Sequence, residues 1–186
     1  MMGLELVKLL PLMEQTTGRP EVAIGLIDGP VAIQHPALAT GNIREVAGKY
    51  GLTCARSNSA ACQHGTFVAG ILSARRGSAA PAICPGCTLL VRPIFSETNS
   101  GNGHTPSATP QELASAIVQA IEAGARILNL SAALAQPSVK GEGAVQSALD
   151  YAVQRGVIVI AAAGNQGVVG SSIITPPSVG DSGCRL

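Results

Sequence analysis

Three polar residues stand where apolar runs stop, and each has the chemistry for acid–base work. Asp28 closes "EVAIGLID" (21–28) ahead of Gly29-Pro30, His64 opens "HGTFVAGILSARR" (64–76), and Asn165 follows "GVIVIAAAG" (156–164). A carboxylate beside an imidazole orients the ring and leaves its second nitrogen free to take a proton. A side-chain amide at a strand end can donate to an oxyanion as it forms. A histidine at a helix start feels the positive end of the helix dipole, which favours the neutral form that a base requires. Each residue also has a plainer use. Asp28 suits a turn, His64 suits packing against Gly65, Thr66, Ala69 and Gly70, and Asn165 suits a turn before Gly167.

The elements that would position them are legible. "EVAIGLID", "TLLVRPI" (88–94), "ARILNLS" (125–131) and "GVIVIAAAG" are short, rich in Val, Ile and Leu, and apolar on both faces. Such runs read as covered parallel strands. Helical patterns alternate with them. The segment 64–76 has apolar residues at 67, 68, 71 and 72. "TPQELASAIVQAIEAG" (109–124) opens with a capping box from Thr109 to Glu112, has Pro110 at the first helical position and stops at Gly124. "AVQSALDYAVQRG" (144–156) repeats the design and stops at Gly156. Alternating strands and helices predict an α/β, doubly wound, mostly parallel sheet. In such a sheet ligands gather at the carboxyl ends of the strands, where Asp28 and Asn165 stand. "MMGLELVKLLPLMEQTTGRP" (1–20) carries Lys8 within its apolar stretch and lacks a basic leader and a cleavage site, so it reads as an amphipathic helix.

Composition narrows the function. Hydrophobic residues make up 46% of 186, charged residues 12%, and the net charge is +1. That balance gives no electrostatic reason to expect a nucleic acid or an anionic membrane as partner. Two Phe, two Tyr and no Trp leave few platforms for stacking bases. No apolar run reaches the ~18 residues of a membrane span, and the expected location is cytoplasmic with reduced thiols. Cys84-Pro85-Gly86-Cys87 has no second CxxC to complete a zinc site, although Cys54 and Cys62 offer two further sulfurs. Small buried thiols are the expectation, with neither metal nor cofactor.

"IGLIDGPVAIQHPAL", "HGTFVAGILSA", "ARILNLSAAL" and "VIVIAAAGNQG" occur in the order and approximate spacing of the subtilisin-like serine proteases (peptidase S8), which the chain resembles over roughly 20–170. The resemblance implies that Asp28 is the orienting acid, His64 the general base and Asn165 an oxyanion donor. It also implies that Ser131, Ala132 and Ala133 form the edge that pairs with extended substrate. Asp-Gly-Pro after the first strand, His35-Pro36, Pro85-Gly86-Cys87 and "PIF" at 93–95 resemble the cyanobactin maturation proteases of the PatA/PatG type, which trim leader peptides from ribosomal precursors. The implied partner is a peptide or protein substrate.

The chain departs from that pattern in several places. Gly29 replaces a hydroxyl residue beside the acid, and Ala133 stands where subtilisins usually have Gly. "ARRGSAAPA" (74–82) lacks Asn and Asp, so a calcium loop is unsupported. No Gly-Thr-Ser-x-Ala nucleophile motif occurs. Ser182 lies in "GDSG", the run that carries the serine of chymotrypsin-like proteases. There, however, histidine precedes aspartate on β-barrels, whereas here Asp28 precedes His64 on an α/β pattern. After Ile174 the apolar texture gives way to "TPPSVGDSGCRL", and a one-base shift that codon degeneracy permits restores a strand-like reading. The expectation is one incomplete domain over 1–186, the chain being a frameshifted or truncated reading in which 175–186 is the candidate frameshifted tail. It would lack the C-terminal strands and nucleophile helix, be inactive or nearly so alone, and be aggregation-prone or need a second polypeptide to complete the fold. The competing function is a non-enzymatic peptide-binding pseudo-protease.

Overall fold

The computed structural model describes residues 2–39, 41–97, 106–134, 142–162 and 184–185. Its main sheet has five parallel strands: β1 (Ala23–Asp28), β2 (Asn42–Glu45), β3 (Thr88–Pro93), β5 (Ile127–Leu130) and β7 (Ile158–Ala161), in the order β2-β3-β1-β5-β7. Strand β3 is buried along its whole length, and β1 everywhere but Ala23. Both carry continuous apolar runs because helices cover both faces. One face packs Leu26, Leu89 and Val91 against helix α3 (Ala60–Ser73). The other packs Ile27, Leu90, Leu128 and Leu130 against α4 (Pro110–Glu122) and α5 (Glu142–Gln154). The four expected strands form within the runs, with no end more than three residues inside.

Strand β2 has no apolar run to announce it. Its pattern is Asn-Ile-Arg-Glu, mostly exposed, and it sits at the sheet edge, where polar side chains discourage pairing with other chains. Three two-residue strands make a second sheet: β4 (Ser107–Ala108), β6 (Ala133–Leu134) and β8 (Cys184–Arg185), with β8 antiparallel to both others. The single N-terminal helix expected over 1–20 is instead two short ones, α1 (Met2–Leu6) and α2 (Leu10–Gln15). Lys8 breaks them at a φ of 55°, and Pro11 opens α2. Met13 is the buried anchor of this segment. The Arg76 guanidinium ties it down by donating to the carbonyls of Met13 and Thr16 and to that of Ile83.

The expected unpaired thiols are not found at Cys54, Cys62, Cys84 and Cys87. Cys54 is bonded to Cys62, and Cys84 to Cys87. The fold folds each pair onto itself: the 52–54 loop lies along the first turn of α3, and the CxxC makes a tight turn against Gly18. A Cβ on Gly18 would lie 2.4 Å from the Cys84 sulfur, so only glycine fits there, at a φ of 83°.

A buried cation ties β3 to α4. Arg92 is fully buried, donates through Nε to Gln119 (2.7 Å) and pairs through a terminal nitrogen with Glu112 (2.8 Å). Glu112→Ala would strand that guanidinium and is expected to lower stability by about 3 kcal/mol. Glu112→Gln, which keeps an acceptor, should cost less. Urea unfolding midpoints at unchanged m-value measure both.

Candidate active site

Asp28 is the last residue of β1, and its side chain is completely buried. Burial of a carboxylate demands donors. One is the N–H of Gly29, which donates to Oδ1 at 2.6 Å. The other is His64, whose Nδ1 lies 2.9 Å from Oδ1 and 3.0 Å from Oδ2. An ionised carboxylate only accepts, so Nδ1 carries the hydrogen and donates it. Nε2 is then the proton-accepting nitrogen of the neutral ring. It makes no hydrogen bond to the described residues, and the side chain is 37% exposed. Two groups from a strand end and a helix thus form a dyad with one open nitrogen.

Two glycines make that approach possible. A Cβ on Gly29 would lie 2.0 Å from the Ala61 carbonyl oxygen, and one on Gly65 would lie 2.5 Å from the Gly29 oxygen. The turn after Asp28 therefore lies backbone to backbone against α3. The hydroxyl residue missing beside the acid is excluded by this contact. Thr66 extends it by accepting the Ala32 N–H at 2.9 Å. The contact face of α3 must be small, and its buried residues are Ala61, Cys62, Gly65, Ala69 and Ser73. The large apolar residues expected to seal the helix turn away in part: Phe67 is 67% exposed. With Ile71 and with Leu4 of α1 it lines a cavity of about 540 Å³ on the outer side of α3.

The expected start of this helix at His64 is corrected. Helix α3 begins at Ala60, because Ser59 caps it by accepting the Cys62 N–H. His64 therefore lies in the second turn, beyond the strongest field of the helix terminus. Its pKa is raised above 6.5, not lowered: the hydrogen bond to Asp28 dominates, partial burial opposes it, and the carboxylate charge adds to it.

The register that sets Ile27 beside Leu130 brings Ser131, the next residue of its chain, level with Asp28 at the same end of the sheet. Ser131 accepts a hydrogen bond from the Asn129 amide at 2.5 Å, Ala132 is buried, and Ala133 begins β6. β6 and β4 flank a slot one strand wide, and Cys184–Arg185 lies in it, paired on both sides. Asn165 and Ser182 lie outside the described residues. The roles of Gly29, Gly65 and Thr66 escape sequence reading, because only the packing shows which glycine touches which carbonyl.

The Subtilase family matches residues 19–182. Subtilisin DY of Bacillus licheniformis is 29% identical over 170 residues, covering 91% of this chain and 56% of the relative. Among solved structures, a mutant of the protease domain of PatA superposes with a TM-score of 0.70 at 32% identity, covering 81% of this chain and 52% of that one. The prenylagaramide maturation protease PagA gives a TM-score of 0.69 at 26% identity, covering 84% and 50%. The chain spans about half the length of these relatives.

Asp28→Asn is expected to lower the His64 pKa, since the carboxylate charge is lost and the amide oxygen is a weaker acceptor while partial burial still opposes protonation. The linkage has a definite sign. A folded-state pKa above the unfolded one gives stability that is full below pH 6.5 and lost as pH rises through the folded value. The stability advantage of the wild type over Asp28→Asn should therefore shrink as pH rises from 6.5 through the raised His64 value. Histidine NMR titration and urea midpoints at the two ends of that range check it.

Proposed function

The chain belongs to the subtilase family, and from that premise we propose that it supplies the acid–base half of a serine endopeptidase site. The observation that carries the reading is the contact between buried Asp28 and His64, with Nε2 left open. In this reading Nε2 takes the proton of a serine hydroxyl as its oxygen bonds to the scissile carbonyl carbon. Asp28 holds the Nδ1–H and stabilises the imidazolium. The C–N bond then breaks, and Nε2–H gives its proton to the leaving amine. Water repeats the sequence to release the acyl group. Asn165 would donate to the oxyanion, and Ser131, Ala132 and Ala133 would border the substrate. No Gly-Thr-Ser-x-Ala motif occurs among these 186 residues, so this reading assigns the acid and the base and leaves the nucleophile unassigned. Likeness to PatA and to the maturation protease PagA favours a leader-bearing precursor peptide as substrate.

A second reading has its own support. The slot between β4 and β6 takes an extended strand through backbone pairing on both sides. That is the chemistry of peptide recognition by strand addition, and it needs no nucleophile.

Joining residues 19–162 to the remaining portion of the PatA protease domain should yield a peptide hydrolase. His64→Ala in that chimera is expected to lower turnover by more than about 10³-fold. The 186-residue chain alone should take up no fluorophosphonate; labelling of Ser182 would assign the nucleophile to it instead. Hydrolysis that survives His64→Ala would end the protease reading. For the second reading, removing residues 184–186 should tighten binding of an extended peptide, measured by fluorescence anisotropy. Unchanged binding would leave the slot without that role.

A further inference from the structure

The first turn of α3 is held by more than its cap. Thr53 is bridged to Val31, and the Val31 N–H donates to the Leu52 carbonyl at 2.8 Å, so the 52–54 loop lies beside the residues that follow Asp28. Cys54 on that loop is bonded to Cys62, two residues before His64. Glu97, four residues beyond β3, closes the ring. Its carboxylate accepts the N–H groups of Ala55 (2.7 Å) and Arg56 (2.8 Å) and the Ser59 hydroxyl (3.2 Å). The same Ser59 oxygen accepts the Cys62 N–H at 3.1 Å. The loop, the helix cap and the cysteine pair are therefore one connected unit next to the dyad.

We propose that Cys54 and Cys62 are positioning residues that form a thiol–disulfide switch, setting how firmly α3 holds His64 against Asp28. The importance of that hold rests on the protease reading; the switch itself does not. Cys54 is half-buried and Cys62 buried, so a low-molecular-weight thiol or a dithiol protein reaches the Cys54 sulfur first. Its thiolate bonds to that sulfur, the S–S bond breaks, and Cys62 leaves as a thiolate. Cys62 is the third residue of α3, where first-turn amides favour negative charge. A second reductant thiol then displaces Cys54. The reductant leaves as its own disulfide, and two electrons and two protons end on Cys54 and Cys62. The first turn keeps its serine cap but loses its covalent tie to the loop. Disulfides in a reducing compartment are usually transient or sensory, and this pair sits where sensing has a consequence. Cys84–Cys87 lies against Gly18, away from the dyad, and serves as an internal control.

The test uses the 186-residue chain, oxidised and then treated with graded reduced glutathione, with alkylation and peptide mapping to show which pair has opened. Opening Cys54–Cys62 should speed amide exchange in residues 60–64 by about tenfold while α4 stays unchanged. It should also draw the His64 pKa down towards 6.5 in NMR titration. A Cys84→Ala/Cys87→Ala variant should respond in the same way. Unchanged exchange and pKa after mapped reduction would overturn the proposal. So would exchange that rises equally in α4, or Cys54 and Cys62 found free in the oxidised chain. Uptake of one equivalent of zinc by the reduced chain would assign both sulfurs and Glu97 to a metal centre instead. None of these readouts uses peptide hydrolysis, so a failure of the protease reading stays separate.

Discussion

The fold turns on a contact with no side chains in it. The turn after Asp28 rests directly on the backbone of α3, with Gly29 against Ala61 and Gly65 against the Gly29 and Pro30 carbonyls. A single methyl group in either place would displace the helix by more than an ordinary packing adjustment allows. Because the backbones meet, α3 must be lined with small residues on that side. Its larger apolar residues then have nowhere to go but outward, and the exposure of Phe67 and the cavity beside it follow from the same constraint. The distance between Asp28 and His64 is thus set by glycine placement before any electrostatics act.

Electrostatics decide what the pair does once placed. Among the described residues the sheet buries two charged groups, and treats them differently. Arg92 is enclosed and satisfied by Glu112, Gln119 and a carbonyl, so its charge is fixed and its work is structural. Asp28 is just as deeply buried, but its main partner is a group that can lose its proton. A histidine beside a buried carboxylate is easier to protonate, so its imidazole is a stronger base and is neutral over a narrower range of pH. One end of β1 therefore holds a reversible charge, while the neighbouring strand holds a permanent one.

The sheet was readable from sequence because buried parallel strands have to be continuous apolar runs, and β1, β3, β5 and β7 are such runs. Helix α4 was readable because Thr109, Pro110 and Gly124 mark its ends by local chemistry. What escaped had no local signature. Strand β2 is polar because it is an edge, and its polarity disguises it as a loop. The start of α3 was set too late because Ser59 is followed by Ala60, Ala61 and Cys62, a run with no apolar period. That misplacement carried over to the charge of His64, since a base one turn inside the helix feels little of the terminal field and takes its shift from the Asp28 hydrogen bond instead. The pairing of Cys54 with Cys62 is a matter of how the 52–54 loop returns to the helix, which spacing alone does not encode.

The two ends of the sheet now differ in a way that bears on chemistry. The carboxyl end of β1 and β5 gathers Asp28, His64 and Ser131, and the slot between β4 and β6 provides backbone groups for an extended chain. Binding and proton transfer can therefore both be built from described residues. Nucleophilic attack cannot, because none of these residues places an activated hydroxyl beside Nε2. On its other flank, β7 pairs only with β5 among the described residues, and Ile158 and Ile160 are more than half exposed. An apolar strand with an unpaired edge is a surface suited to further sheet. At the dyad, Nε2 is the one nitrogen left open among the described residues. The side of the dyad that faces β1 is already complete. The requirement that remains is a single hydroxyl on the far side, and the geometry of Asp28 and His64 does not depend on it.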